Sequence, residues 1–270
     1  MELLDWININ KINWNYLSSN PNAIDLLEKN LDKINWINLS CNPNAIDLLE
    51  ANPDKINWKY LSSNPNAIHI LEENPDKIDW DILSGNPNAI DLLEANQDKI
   101  DWYSFLKNPN AIQILKKKEI KKEDWYSFLQ KSNGKINEID LWNYISEYSN
   151  DFELFKENTE KINWNILSCN INAIHFLEMN QEKINWCFLS SNINAIHLLK
   201  NNKKKICWRC FSSNSNGVEL LKENKEQINW WCLSKNSNAV DFFETKQEKI
   251  DWCFLSSNPN IFELKHYLLK

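Results

Sequence analysis

The chain has 270 residues, 43% of them hydrophobic and 25% charged, the balance of a folded protein rather than a disordered one. Its net charge of −7 opposes wholesale nucleic-acid binding, which needs a basic surface to neutralise phosphates, and it opposes a membrane-surface role. No apolar run approaches the roughly 18 residues of a membrane span, and the opening MELLDWININKINW lacks the basic start and apolar stretch of a secretory signal.

In chain order, the first ten residues read as an N-terminal cap on a repeat array. The array begins at residue 11 and runs regularly to residue 115. Tryptophans fall at Trp14, Trp36, Trp58, Trp80 and Trp102, each 22 residues from the last. The unit reads approximately DKINWxxLSSNPNAIxLLExNP. It predicts two short helices. The first starts at the Trp, because the preceding residue is Asn or Asp in ten of twelve units and suits an N-cap. An apolar residue three positions on, such as Leu17, Leu39 or Leu61, shares the face of the Trp. The second helix is expected to start in the Asn20-Pro21-Asn22 segment with Asn as cap and Pro at the first helical position. Ala23, Ile24, Leu26 and Leu27 then form its apolar face. Asn30 is expected to end it in the left-handed region. The Ser four after the Trp (Ser18, Ser40, Ser62, Ser168) reads as a helix-end hydroxyl bonding backbone. The Asn eight after the Trp of all twelve units, from Asn22 to Asn260, reads as a ladder satisfying backbone at each turn.

Residues 116–141 break the pattern. Trp125 lies out of register, and Trp142 follows it by only 17 residues. Gly134 predicts a tight turn there, and the segment is expected to kink the superhelix. The regular array resumes over residues 142–260, with Trp164, Trp186, Trp208, Trp230 and Trp252. Residues 261–270 read as a C-terminal cap.

One unit's apolar residues cannot offset the entropy of ordering it, so neighbours must share apolar faces. The expected fold is therefore all-α: a single elongated α-solenoid of about twelve 22-residue units. Leucine-rich repeats have similar lengths but need an L-x-L strand. The run Ser18-Ser19-Asn20-Pro21 after Leu17 is a poor strand.

Candidate chemistry is sparse. Cys41, Cys169, Cys187, Cys207, Cys210, Cys232 and Cys253 are odd in number and unevenly spaced, which points to reduced thiols in an intracellular protein. Cys207-x-x-Cys210 has metal or redox spacing, yet a structural zinc needs four ligands, and the pair reads as structural thiols. His69, His175 and His197 recur eleven residues after a Trp and are expected on the outer face of the second helix, as partner-binding candidates. Asp25, Asp47 and Asp91 hold the same position in other units and read as a solvated face. Lys116, Lys117, Lys118, Lys121 and Lys122 are the other candidates, because the broken unit is the least repetitive surface. No phosphate loop, nucleophile elbow or zinc-protease motif is present. Only one of 30 basic residues, Arg209, is an arginine, so bidentate phosphate recognition is nearly absent. No catalytic residue, metal or cofactor is expected.

The stretch from Lys55 to Pro75, KINWKYLSSNPNAIHILEENP, resembles a repeat found in proteins of large AT-rich DNA viruses related to mimivirus. That resemblance spans nearly the whole chain. It implies a viral protein in the host cytoplasm or the virion, and it carries no catalytic residue. The expected function is a non-enzymatic scaffold for a host or viral protein partner. The alternatives are a structural component of the virion or its assembly factory, and a nucleic-acid-binding helical repeat.

Overall fold

The computed structural model describes residues 1–105, 107–110, 138–150 and 152–263. Among them the fold is an all-α repeat solenoid of Trp-containing helix pairs, with one two-residue strand pair. The chain forms two compact units, Met1 with Trp14–Leu141 and Glu2–Asn13 with Trp142–Lys270. The expected kink, and Lys116, Lys117, Lys118, Lys121, Lys122 and Gly134 with it, lie outside the described residues.

The unit around Trp58 shows why this sequence folds as it does. Its first helix, Trp58–Leu61, is a single α-turn. Asn57 caps it, its side chain accepting from the Tyr60 N–H at 3.2 Å. Ser62 donates its hydroxyl back to the Trp58 carbonyl at 2.9 Å. The chain then turns. The Asn64 side chain accepts from the Asn66 N–H at 3.0 Å, and its carbonyl accepts from Ala67 N–H at 3.2 Å. The second helix therefore starts at Ile68, with Ala67 as an N-cap that makes no side-chain bond. The expectation that Asn and Pro open this helix is corrected: they build an Asx turn before it. The helix ends at Glu73, where Asn74 donates Nδ2 to the Ile70 carbonyl at 2.9 Å. Asn74 has φ −131°, so no left-handed residue is used. A one-turn 3₁₀ segment, Pro75–Lys77, then leads to the next cap. Leu61, Ala67 and Leu71 are wholly buried.

Single helical turns are unstable alone, and the neighbouring units supply what they lack. The Ser62 hydroxyl accepts from the Asp79 N–H of the next unit at 3.0 Å. Asn86 of the next unit sends both Nδ2 hydrogens back, to the Ser62 and Asn64 carbonyls, each at 3.0 Å. Lys77 lies 4.4 Å from the centroid of the Trp58 ring, a cation–π contact. The same contact recurs in several units, as Lys33 over Trp14 and Lys205 over Trp186 illustrate. The buried ladder is thus the Asn six after the Trp. The expected column, eight after, forms a second and more exposed rank: Asn88 donates to the Pro65 carbonyl at 2.9 Å. Among the described residues no buried side-chain nitrogen or oxygen lacks a partner.

The second unit keeps this plan with altered packing. Glu138–Tyr148 is a longer helix, and Phe155 and Phe176 fill space beside Trp164. Phe211 takes the buried Leu position, and Gly217 stands where other units have Ala. A Cβ on Gly217 would lie 2.7 Å from Phe211 Cζ, so the larger ring is matched by a lost methyl. Residues 2–13 pack on the last units. Glu2–Leu3 pairs antiparallel with Phe262–Glu263, and Leu4 N–H donates to the Ile261 carbonyl.

Two stability outcomes follow from this packing. Asn64→Ala takes the partner from the Ser40 carbonyl and from the Asn66 N–H, while the Asn42 carbonyl keeps Ala45 N–H, and it costs about 2–4 kcal/mol, from roughly 1–3 per unpaired group. Asn66→Ala, at the more exposed rank, costs about 1 or less. Urea unfolding that gives equal losses would refute the ranking. Separately, Gly217→Ala costs about 1–3 kcal/mol by overpacking. In a Phe211→Leu background that penalty disappears, and a double-mutant cycle reads the coupling.

Candidate functional site

Folding consumes most of each unit, so a site must use the positions it leaves. Two such sets exist: the residues directly after each Trp, and the outer face of the second helix. The neighbours of the first set are fixed by the stacking. Asn15, one after Trp14, receives Asn35 Nδ2 on its side-chain oxygen at 3.2 Å and Asn38 Nδ2 on its carbonyl at 2.7 Å. The residue one after a Trp therefore meets, in the next unit, the residues one before and two after the Trp.

In the second unit this register gathers three cysteines. Cys187 follows Trp186, Cys207 precedes Trp208, and Cys210 is two beyond Trp208. Cys187 Sγ lies 3.3 Å from Cys207 Sγ and 3.3 Å from Cys210 Sγ. All three sulfurs fall within 4.8 Å of one another. Cys187 is exposed and the other two are half-buried. The reading of Cys207 and Cys210 as isolated structural thiols overlooked this third group. Spacing within one unit does not reveal it. The stacking register does, because it brings together residues 20 and 23 apart.

The three thiols differ in acidity. Burial opposes ionisation of Cys207, but backbone N–H groups of Cys210 and Arg209 and the thiols of Cys187 and Cys210 outweigh it, and its pKa is lowered. Cys210 is pushed up to about 12 by burial, and then by hydrogen bonding to Cys187 and Cys207. Cys187 is raised, first by its hydrogen bond to Cys207.

The three histidines lie on second helices, with exposed side chains. His69 Nε2 is 3.0 Å from Glu50 of the preceding unit. His175 and His197 meet at one carboxylate: His197 Nε2 hydrogen-bonds Glu178, and His175 Nδ1 is 3.7 Å from it. His175 also stacks on Phe152. Of the run Lys203–Lys205, Lys205 covers Trp186 and Lys203 pairs with Glu223 at 3.5 Å, so that run is partly committed to the fold.

Sequence reading sought a binding face on the second helices. It missed a set of large apolar side chains on the first helices. Tyr16, Ile37, Tyr60 and Tyr103 in the first compact unit, and Phe188 and Trp231 in the second, are 40–47% exposed. Each is one or two residues after a Trp. Trp231 packs edge-on to Phe254 at 5.0 Å, and Lys235 lies 4.1 Å from both rings. No family model, curated protein or solved structure matches this chain.

Glu178 carries a testable consequence of the histidine contacts. Its pKa is lowered, first by the hydrogen bond from His197 and further by His175. Carboxyl NMR should show Glu178 titrating below an ordinary glutamate, and in His197→Ala it should move back up. The same value in both proteins would mean that the contact does not form in solution.

Proposed function

We propose that this chain is a non-enzymatic repeat scaffold that binds a protein partner through the exposed residues following its tryptophans. One observation carries the reading. The repeat-invariant side chains are spent on folding, whereas large apolar groups stay exposed at variable positions after six of the tryptophans. Aromatic side chains at a surface supply much contact area at small entropic cost, and they are enriched at protein interfaces. The register that sets Asn15 against Asn38 puts the position of Ile37 beside that of Tyr60, so the exposed groups adjoin across units. The net charge of −7 and the acidic second-helix position of Asp25, Asp47 and Asp91 favour a partner with basic groups around an apolar patch. A viral setting, with a host or viral partner, rests on the likeness of the repeat phrase alone.

The test is affinity capture from lysate with the wild type and with an Ile37→Ser/Tyr60→Ser variant, followed by mass spectrometry. The expected result is one partner whose affinity falls at least roughly tenfold in the variant, with unchanged thermal melting. Self-assembly without a partner would replace this reading with a structural role. Salt-sensitive retention of RNA or DNA would replace it with nucleic-acid binding.

A further inference from the structure

We propose that Cys187, Cys207 and Cys210 form a binding site for one thiophilic metal ion of closed d-shell, Zn²⁺ or Cu⁺, held by three thiolates. The geometry fits such an ion. Two Sγ–Sγ edges are 3.3 Å and the third is within 4.8 Å. A point about 2.4 Å or less from all three sulfurs therefore exists, close to the roughly 2.3 Å of a zinc–thiolate bond. The donor set is uniformly soft, and thiolates select Zn²⁺ and Cu⁺ over magnesium or calcium. Among the described residues no fourth His, Cys or carboxylate joins the cluster. Zn²⁺ would complete its tetrahedron with solvent or an outside ligand, whereas Cu⁺ is satisfied by three thiolates. Paired oxidation is a poorer use of the group, since a disulfide between any two members leaves the third unpaired.

The supporting frame is rigid. Ser190 Oγ accepts from the Cys207 N–H at 3.0 Å, and Asn185 Oδ1 accepts from the Cys187 N–H at 3.1 Å. The first of these bonds stacks one unit on the next and the second caps the helix Trp186–Ser191, so the ligands sit on bonded helix starts rather than on a loop.

A local sacrifice points the same way. Asn or Asp caps the first helix at Asn35, Asn57, Asp79, Asn163, Asn185, Asn229 and Asp251, each accepting a helix N–H. Cys207 stands in that position and makes no side-chain cap bond. A residue that departs from the rule of its repeat and forgoes that hydrogen bond points to a demand other than capping. The same three positions around Trp14 and Trp36 hold Asn15, Asn35 and Asn38, an amide network. Between Trp186 and Trp208 all three are cysteine.

The experiment uses the full chain, reduced, stripped of metal and kept anaerobic. Co²⁺, a spectroscopic substitute for Zn²⁺, is titrated in one arm. In the other, Cu⁺ is titrated against a competing chelator. One equivalent per chain is expected, with thiolate charge-transfer absorption in the Co²⁺ arm. Displacement of that Co²⁺ by Zn²⁺ assigns the site to zinc. Feeble Co²⁺ binding beside tight Cu⁺ retention assigns it to copper. Cys187→Ser and Cys210→Ser each weaken binding by more than about 100-fold, beyond the 10–100-fold typical of outer-shell partners. Cys207→Asn restores the helix cap, so it melts no lower than the metal-free wild type while losing the ion. Cys253→Ser changes nothing. Failure of the reduced wild type to bind either ion, or binding that survives Cys207→Asn, would overturn the proposal.

Discussion

The structure depends on one interaction, the buried asparagine amide that donates both its hydrogens to carbonyls of the preceding unit. Each first helix is little more than one turn, with its last carbonyls unpaired by the helix itself. The amide meets one of those needs, at the Ser carbonyl, and adds a second bond to the turn carbonyl that already accepts from the Ala N–H. Asn86 reaches Ser62 and Asn64, and Asn64 reaches Ser40 and Asn42. The Ser hydroxyl works in the other direction, accepting from the cap N–H of the next unit. A side chain with one acceptor and two donors is required, because the Asn oxygen also holds the turn that follows it. A carboxylate could not donate, and an apolar residue would leave the Ser carbonyl and the turn N–H without these partners.

That bonding fixes the register, and the register decides which residues meet. A slip of one unit would preserve the pattern, but a slip of one residue would unpair every ladder carbonyl. Each position in a unit therefore has set neighbours in the next. Variable positions then act in groups across units rather than along one helix. The thiol cluster arises this way, from one residue after Trp186 and two around Trp208. The contact of His175 and His197 at Glu178 is the corresponding event on the second helices, between residues 22 apart in the sequence. A core pair shows close packing too: Phe211 Cζ lies 2.7 Å from where a Cβ on Gly217 would stand.

The helix pair was legible in the sequence because its signals are strong and local. Trp and Leu three apart mark the first helix, and Asn57 or Asp79 marks its start. The 3₁₀ turn at Pro75–Lys77 was not, because three residues carry too little periodicity to separate them from a loop. The NPN segment misled for a different reason. Asn before Pro is a good helix opening, but Asn64 is already committed to the preceding unit, and that tertiary demand moves the helix start to Ile68. The ladder was assigned to the more regular of two asparagine columns, whereas the buried one bears the greater energetic demand. The thiol site stayed hidden because a metal motif is usually sought within one short segment.

The segment that precedes Trp14 shows how far the stacking chemistry alone can choose a neighbour. The first helix at Trp252–Ser256 presents the same groups as that at Trp14: an indole face, a Ser hydroxyl and a residue after the Trp. Lys11 lies 5.4 Å from the centroid of the Trp252 ring, Asn13 N–H donates to Ser256 Oγ at 2.9 Å, and Asn13 Nδ2 reaches Cys253 Sγ at 3.3 Å. Lys33 and Asn35 make the same three contacts with Trp14, Ser18 and Asn15. Ile12, between them, is buried as Ile34 is. Residues 2–13 thus take the place of a following unit on Trp252, although the first ten residues read from sequence as an N-terminal cap and the rest as the start of the array. The preference resides in the Lys-Ile-Asn side chains and their spacing, not in chain order.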